Sequence, residues 1–480
     1  MKVVLVIANI SWYGKRPWRN FVTAAPIITT ILKDKFDFSI LDANVNNYTI
    51  EEAKNKLEET KADVVLITAL SSEYFKAYHT VAEIAKKALP KCKVIMGGVY
   101  PTVSPEEVVK DCNIDYVMMG HAENRLDYLM HMLEENRYED IENFVGMAFR
   151  KGDQIRINPI KEHIGDVKEM VKPDYSFMDI DKYLDFEGKN VSNFSNEGQG
   201  RAVSLMTSYG CPYNCLFCAT RTISGRKIAW RPLEDVFEEL DYFIKTKNTK
   251  CVTFMDDNML ADRERAVNLL QGIIQKNYGI EFIMGNVAAW HLDEELLYLM
   301  KRAGFSRISI SVESGNERVL HKIVRKPLKL DIVPNLVKIS RELDLLMTAN
   351  FIIGFPGETW EEIRETLRFA EKCDFDLVNI HIATVLPKTD LYELAVETKS
   401  IPENFSFYKD DVNFGFGKGN ITTDEFTPGE LAVIRAYEWD RINFSNEEKK
   451  KRACRIMGIT LEQLKEHRKQ TRIHCGIYFN

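Results

Sequence analysis

Short apolar runs alternate with amphipathic stretches from residue 1 to about 140. KVVLVIAN, FDFSILDA, ADVVLITAL, KVIMGG and DYVMMG are aliphatic, β-branched runs of strand length. Between them, APIITTILKDK, TIEEAKNKLEET and AYHTVAEIAKKAL place apolar residues at helical spacing. Branched side chains suit a pleated surface, and a 3.6-residue apolar period suits a helix lying on such a surface. Strict alternation predicts right-handed βαβ units and an open parallel sheet, whose ligands sit at the carboxyl ends of the strands. Three strand ends are therefore candidates: ANISWYG, ALSSEY and GGVYPT.

From 141 to 200 the pattern breaks. MAFRKGDQIRINP reads as a β-hairpin around Lys151–Asp153, and the polar, turn-rich stretch that follows reads as a linker, packed because of its aromatics. From 201 to 390 alternation returns. AVSLMTS, CVTFMDD, IEFIMGN, RISISVES, MTANFIIG and LVNIHIA are the strands, with helices such as LEDVFEELDYFIKT and DRERAVNLLQGIIQK between them. Six βα units predict a full or partial (β/α)6 barrel of the TIM type, with its active site on the C-terminal rim of the strands. Residues 391–480 are mainly helical and polar. The expected fold class is α/β: a Rossmann-like parallel-sheet domain (1–140), a linker with a hairpin (141–200), a partial barrel (201–390) and a helical region that lines or lids the pocket (391–480).

Composition changes this picture little. The 480 residues exceed one ordinary core, so roughly two to four domains are expected. With 45% hydrophobic and 28% charged residues the chain is globular, and a net charge of -7 argues against a nucleic-acid scaffold. The six-residue apolar run near the N-terminus is short for a signal peptide, and no apolar stretch of about 18 residues follows. Nine cysteines, mostly scattered singly, fit a reducing compartment, so a cytoplasmic location is expected.

The chemistry concentrates in SYGCPYNCLFCAT, residues 208–220, which holds Cys211, Cys215 and Cys218 on the loop after the first barrel strand. A structural zinc normally completes its tetrahedron with a fourth protein ligand, and a disulfide framework needs an even count in a short secreted chain. Soft thiolates suit iron in a sulfide cluster. A cube of four irons held by three cysteines keeps one iron open to a small molecule. Zinc, or a coincidence of cysteines, is the duller alternative.

CxxxCxxC with an aromatic residue, Phe217, before its last cysteine resembles the radical S-adenosylmethionine enzymes. The resemblance implies a [4Fe-4S] cluster on Cys211, Cys215 and Cys218 whose open iron chelates the methionyl group of S-adenosylmethionine. Reduction by an external donor such as flavodoxin or ferredoxin then yields a 5'-deoxyadenosyl radical that takes hydrogen from a substrate. It further implies that Asp256 and Asp257 (FMDDN) contact the methionyl amine or shape the loop around it. Ser311 and Glu313 (SVESG) would meet the ribose, Arg325 (VRKP) the methionyl carboxylate, and the turn containing Gly354 and Pro356 (GFPG) the adenine. The ordinary readings are a helix cap for the acidic pair and a surface carboxylate partner for Arg325. Lys388, in LPKT, stands where relatives usually have the glycine of Pro-Gly-Thr.

GGVYPT, with MGHAEN twenty-two residues later, is similar to the cobalamin-binding domain of the B12-dependent branch of that family. Gly97 and Gly98 would allow close backbone approach to a bulky ligand, with Pro101 and Thr102 in the same loop. Ser71 and Ser72 would bind the nucleotide tail, and Gly120, His121 and Glu123 would line the next strand end. The Asp-x-His-x-x-Gly motif that ligates cobalt in methionine synthase is absent, so Trp12 or Tyr13 is expected to shield the lower face. A generic nucleotide-binding sheet is the alternative, although G-x-G-x-x-G is absent after the first strand.

Together these resemblances imply transfer of a methyl group from methylcobalamin to an unactivated carbon of a small-molecule or peptide substrate. The alternative is an oxidative reaction without methyl transfer, as in the anaerobic magnesium-protoporphyrin ester cyclase group, and a third reading is a non-catalytic cobalamin or redox sensor. No nucleic-acid partner and no membrane span is expected. Trp439, Asp440 and Arg441 are pocket candidates, and Cys454 and Cys475 are potential ligands, singly spaced as packing cysteines usually are.

Overall fold

Five of the six residues of β1 (Lys2–Ile7) are buried, because a central parallel strand is covered on both faces and needs no alternation. β2 (Asp37–Asp42), β3 (Val64–Thr68), β4 (Lys93–Gly97) and β5 (Tyr116–Met118) complete a parallel array in the order β2-β1-β3-β4-β5. Helices Ile50–Thr60 and Phe75–Ala88 connect its strands; Thr49 starts the first with a capping box to Glu52. The strand order reverses between β1 and β3, and a crevice at such a point is where open α/β sheets bind ligands.

The computed structural model describes residues 1–13, 23–185, 200–408 and 417–474, with side chains as far as 470. The chain divides into two units: Met1–Phe186 with Tyr209–Pro212 and Thr220–Asp235, and Glu187–Ser208 with Tyr213–Ala219 and Val236–Asn480. The rest of the first strand-end loop (GKRPW), residues 186–199 of the linker, Cys475 and the side chains of the RIHCGIYF end lie outside the described residues.

The hairpin joins the first sheet. β6 (Met147–Lys151) pairs antiparallel with β5, Met147 opposite Met118, and β7 (Gln154–Ile157) follows, so both extend the first sheet to seven strands. Beyond it the chain returns to the same unit: Asp174 N–H donates to Pro26 O at 3.0 Å, Lys33 pairs with Asp174 at 2.5 Å, and the Tyr183 hydroxyl donates to Asp42.

In the second unit, β8 (Ala202–Leu205) opens the sheet; after it come β9 (Ser208–Tyr209) and β10 (Ala229–Trp230), which apart from Ser208 belong to the first unit. β11 (Cys251–Phe254), β12 (Glu281–Val287), β13 (Phe305–Glu313), β14 (Leu346–Ile353) and β15 (Leu377–Ile382) then join β8 in one sheet. The order β8-β11-β12-β13-β14-β15 is sequential and wholly parallel, and among the described residues its ends, β8 and β15, are not partners of each other, as in a partial barrel. Phe351 meets Phe369 of the helix Trp360–Cys373 edge-on, so Phe351 marks the helix-covered face. By strand alternation Asn350 and its register partners Ser311 and Asn379 occupy the opposite, inner face.

The C-terminal helices brace the second sheet. Asn443, on the helix Pro428–Asn443, accepts from Val378 N–H at 2.7 Å and donates to Val378 O at 2.8 Å, while Arg435 Nε donates to Ile380 O at 2.6 Å. These bonds satisfy the open edge of β15, which would otherwise invite pairing. On the helix Glu447–Met457, Arg455 pairs with Asp344 at 2.7 Å and Arg452 with Asp376 at 3.1 Å, at the N-terminal ends of β14 and β15. The two helices therefore seal the edge and floor of the sheet, while Ile401, Phe405, Phe407 and Ile421 of the same region pack in the cluster of Leu216 and Phe217, and Leu431 lies against Gly354. Trp439 is buried against Phe444, Asp440 pairs with Arg468, and Arg441 with Glu371. Cys454 is buried and its thiol pushed up by burial, unlike a ligating thiolate. Among the described residues no helix is long and apolar enough to cross a membrane.

Candidate active site

The loop after β8 is held at several points. Asp256, buried at the tip of β11, accepts from Thr207 N–H at 3.0 Å, Thr207 Oγ1–H at 2.8 Å and Ser208 Oγ–H at 2.6 Å. Burial pushes its carboxyl above the ordinary value, against the pull of those bonds. Asp256 thus shapes the loop; Asp257 beside it is partly exposed. Further along, Tyr213 receives Trp290 Nε1–H at 2.8 Å and lies 3.0 Å from His291 Nε2.

Between the second and third cysteines, Leu216 is clamped by its backbone: its N–H donates to Val324 O at 3.1 Å, and Leu391 N–H donates to its carbonyl at 2.9 Å. Its side chain is buried with Val319, Phe355, Val385 and Leu391, and Phe217 packs against the same cluster. Cys218 N–H donates to Cys215 O at 3.1 Å. All three cysteines are partly exposed and none is in a disulfide. Among the described residues no three His, Cys, Asp or Glu side chains gather on one point as a single metal ion requires. Three soft thiolates in one short loop are the donor set a four-iron cube takes, one thiolate to each of three irons.

Glu313, at the end of β13, has φ 70° and pairs with Lys326 at 2.7 Å; their side chains are only 6% and 5% exposed. Left-handed backbone at a carboxylate in a buried ion pair is strain held by surrounding contacts, a feature that clusters at functional sites. The Lys326 ammonium also lies 5.4 Å from the Trp290 ring centroid. Ser311 precedes Glu313 on the inner face. Arg325, with φ 65°, is exposed and paired with Asp390, the ordinary partner its sequence left open. Lys388 has φ 57°, the conformation a glycine there would adopt freely; lysine keeps the turn at a cost of about 1 kcal/mol.

At the tip of β14, Glu358 Oε2 accepts from Gly354 N–H at 2.7 Å and Phe355 N–H at 3.0 Å, which closes the turn around the buried Pro356. Glu358 is 1% exposed, and its Oε1 is buried without a hydrogen-bond partner, a polar atom suited to a ligand's donor. Burial pushes its carboxyl from 4.5 up to about 8. The folded protein therefore keeps a proton that the unfolded chain loses between those values. Stability is full below the lower value and falls as pH rises toward the higher one. In Glu358→Gln protein, thermal unfolding is expected to lose this slope and to exceed wild type above pH ~8 by on the order of 4 kcal/mol.

In the first unit, Gly98 has φ 112°, and a Cβ there would lie 2.6 Å from Ala69 O. Glycine is needed at that position by the neighbouring strand, where the sequence suggested a ligand; a Cβ at Gly97 would meet only Met118 O at 3.5 Å. Next to the buried Pro101, Thr102 Oγ1 donates to Gly98 O at 2.6 Å and accepts Gly120 N–H at 2.8 Å, bridging the ends of β4 and β5. Ser71 Oγ caps the short turn Ser72–Tyr74 by accepting Glu73 N–H at 3.2 Å. His121, pushed down to about 4 by burial with nearby His163 and Arg125, lies 3.3 Å from Ser224 Oγ and 3.8 Å from the buried Glu123 carboxylate. Trp12 Nε1–H donates to Tyr48 O at 2.8 Å, and the Tyr13 hydroxyl lies 2.6 Å from Thr80 Oγ1.

Two groups were missed from sequence. His79 Nδ1 lies 2.6 Å from Asp111 and its Nε2 3.0 Å from the Tyr100 hydroxyl, beside the GGVYPT loop. On the inner face of the second sheet, Asn379 Nδ2–H donates to Asn350 Oδ1 at 3.0 Å and Asn350 Nδ2–H to Ser309 Oγ at 3.2 Å, with His381 two residues further along β15. A barrel interior is usually filled by branched apolar residues. The alternation S-x-S in RISISVES and N-x-H in LVNIHIA was the available signal.

Residues 205–370 match the Radical SAM superfamily and residues 22–130 the B12 binding domain. An uncharacterized methyltransferase of Pyrococcus horikoshii is 29% identical over 82% of this chain and 83% of its own. The anaerobic magnesium-protoporphyrin IX monomethyl ester cyclase of Rubrivivax gelatinosus is 25% identical over 82% of this chain and 68% of its own. Among solved structures, the radical S-adenosylmethionine methyltransferase TsrM of Kitasatospora setae, with cobalamin and a [4Fe-4S] cluster bound, superposes with a TM-score of 0.69 at 18% identity. That match covers 84% of this chain and 76% of TsrM, and speaks to the fold. With both domains matched in tandem and the three-cysteine loop on the first of six parallel strands, the chain belongs to the cobalamin-dependent radical S-adenosylmethionine enzymes.

Proposed function

We propose that the protein is a C-methyltransferase acting on an unactivated carbon of a polar small molecule or peptide. The similarity to a protein named a methyltransferase over four fifths of both chains carries this reading. When bound, the cluster with S-adenosylmethionine supplies a carbon radical, and cobalamin supplies the methyl group. Cys211, Cys215 and Cys218 would hold the cluster within residues 201–390. Asp257, Ser311, Glu313 and the turn at Gly354 and Pro356 would hold S-adenosylmethionine, with Phe217 packing beneath and Arg325 joining only if it leaves Asp390. Within residues 1–140, Ser71, Ser72, Gly97, Gly98, Pro101, Thr102, Gly120, His121 and Glu123 would form the cobalamin cradle. The row Ser309–Asn350–Asn379 with His381 favours a substrate that hydrogen-bonds. The setting would be cytoplasmic and anaerobic, with flavodoxin or ferredoxin as electron donor.

A cyclase-like oxidation is the second reading, favoured by the likeness to the Rubrivivax gelatinosus cyclase. Product counting separates them. Methyl transfer consumes two S-adenosylmethionine molecules, one leaving as S-adenosylhomocysteine and one as 5'-deoxyadenosine with methionine. Anaerobic protein turning over a cell extract is expected to form both in similar amounts. 5'-Deoxyadenosine without S-adenosylhomocysteine would replace the methyltransferase reading with the oxidative one.

A further inference from the structure

Tyr213 lies in the cysteine loop, two residues before Cys215, and its hydroxyl is the meeting point of two groups from the turn after β12. Trp290 Nε1–H donates to it at 2.8 Å, and His291 Nε2 lies 3.0 Å away. The rings of Tyr213 and Trp290 stand edge to face, with centroids 4.8 Å apart and planes at 89°. An indole N–H can only donate, so the hydroxyl accepts there and keeps its own hydrogen for the imidazole. Trp290 has a second engagement on its ring face. The Lys326 ammonium lies 5.4 Å from the ring centroid, and that ammonium holds the Glu313 carboxylate at 2.7 Å. The ring quadrupole attracts a cation most where water is excluded, and Lys326 is buried. One side chain thus ties the cysteine loop, through its edge, to the tip of β13, through its face.

We propose that Trp290 is a positioning residue that fixes the separation between the cysteine loop and the Glu313 end of β13, and so preorganises a two-point grip on S-adenosylmethionine. The inference rests on the S-adenosylmethionine part of the proposed function, with the cysteine loop at the methionyl end and Glu313 at the ribose. It is indifferent to whether the reaction transfers a methyl group or oxidises. A ligand held at two ends gains affinity only where both holds already stand at the right separation. Iron uptake needs no such brace, because the Leu216 backbone clamps the later half of the loop independently. Loss of the Trp290–Tyr213 bond therefore costs ligand affinity and spares the cluster.

The test compares Trp290→Phe, which keeps a ring and removes the N–H, with Tyr213→Phe, which removes the hydroxyl, and with the double variant. Reconstituted without oxygen, all three are expected to carry wild-type iron and sulfide. Each single variant should lower the thermal midpoint by no more than about 2–4 °C. The dissociation constant for S-adenosylmethionine, read by calorimetry on unreduced protein, should rise about 2- to 10-fold in each, the worth of one net hydrogen bond. The double variant should bind within about twofold of the weaker single one, since both substitutions remove the same bond. Wild-type affinity in both single variants, fully additive losses in the double, or failure of either single variant to assemble the cluster overturns the proposal. Wild-type protein that assembles the cluster and binds no S-adenosylmethionine overturns the proposed function along with it.

Discussion

Cys218→Ala protein, reconstituted without oxygen, is expected to lose its four-iron absorbance and to cleave S-adenosylmethionine at least ~1000-fold more slowly, on the order of 4 kcal/mol of lost barrier reduction. Alanine offers no soft donor, and two thiolates cannot anchor a cube that otherwise has three. The fold should survive, because Cys218 is partly exposed and the loop is fastened through Leu216 and Asp256. Cys454→Ala is the control: this cysteine is buried on the helix Glu447–Met457, so its loss should leave iron content unchanged. Iron and sulfide analysis with quantified 5'-deoxyadenosine checks both. Retention of a full cluster in Cys218→Ala would remove the loop from the chemistry.

Lys326→Met should destabilise the second unit by about 3–5 kcal/mol, because it leaves the Glu313 carboxylate buried without its partner. For a unit of this size that lowers the thermal midpoint by roughly 6–20 °C. Lys326→Met combined with Glu313→Leu should recover most of the loss, since replacing both members of a buried pair by apolar groups is often neutral. The coupling can be read by a double-mutant cycle on thermal unfolding. Val324, whose carbonyl holds Leu216, is two residues from Lys326, so the single variant should also release iron faster than wild type. A single variant as stable as wild type would show that the pair is solvated in solution.

Element types were legible in the sequence, while partners were not. Runs such as KVVLVIAN and RISISVES declare strands because branched side chains and a period of two leave few other backbones. The cysteine spacing is likewise a local signal. Asp256, however, braces Thr207 from 49 residues away, and the Arg307 guanidinium reaches Ile456 O across 149. No local period records such pairings. The hairpin's attachment to β5, the placement of the C-terminal helices on the floor of the sheet, and the diversion of Arg325 to Asp390 all belong to this class. Gly98 shows that one local signal can have a second, non-local cause: its missing Cβ also makes room for Ala69, just past the adjacent strand.

The central claim is that the polypeptide grips three irons of the cube and leaves the fourth for a sulfonium substrate. Mössbauer spectroscopy of iron-57-enriched, air-free protein tests it most directly. The account predicts that S-adenosylmethionine shifts one iron in four toward a higher-coordinate signature while the other three stay put. Four irons indifferent to the addition, or zinc in their place, would contradict it.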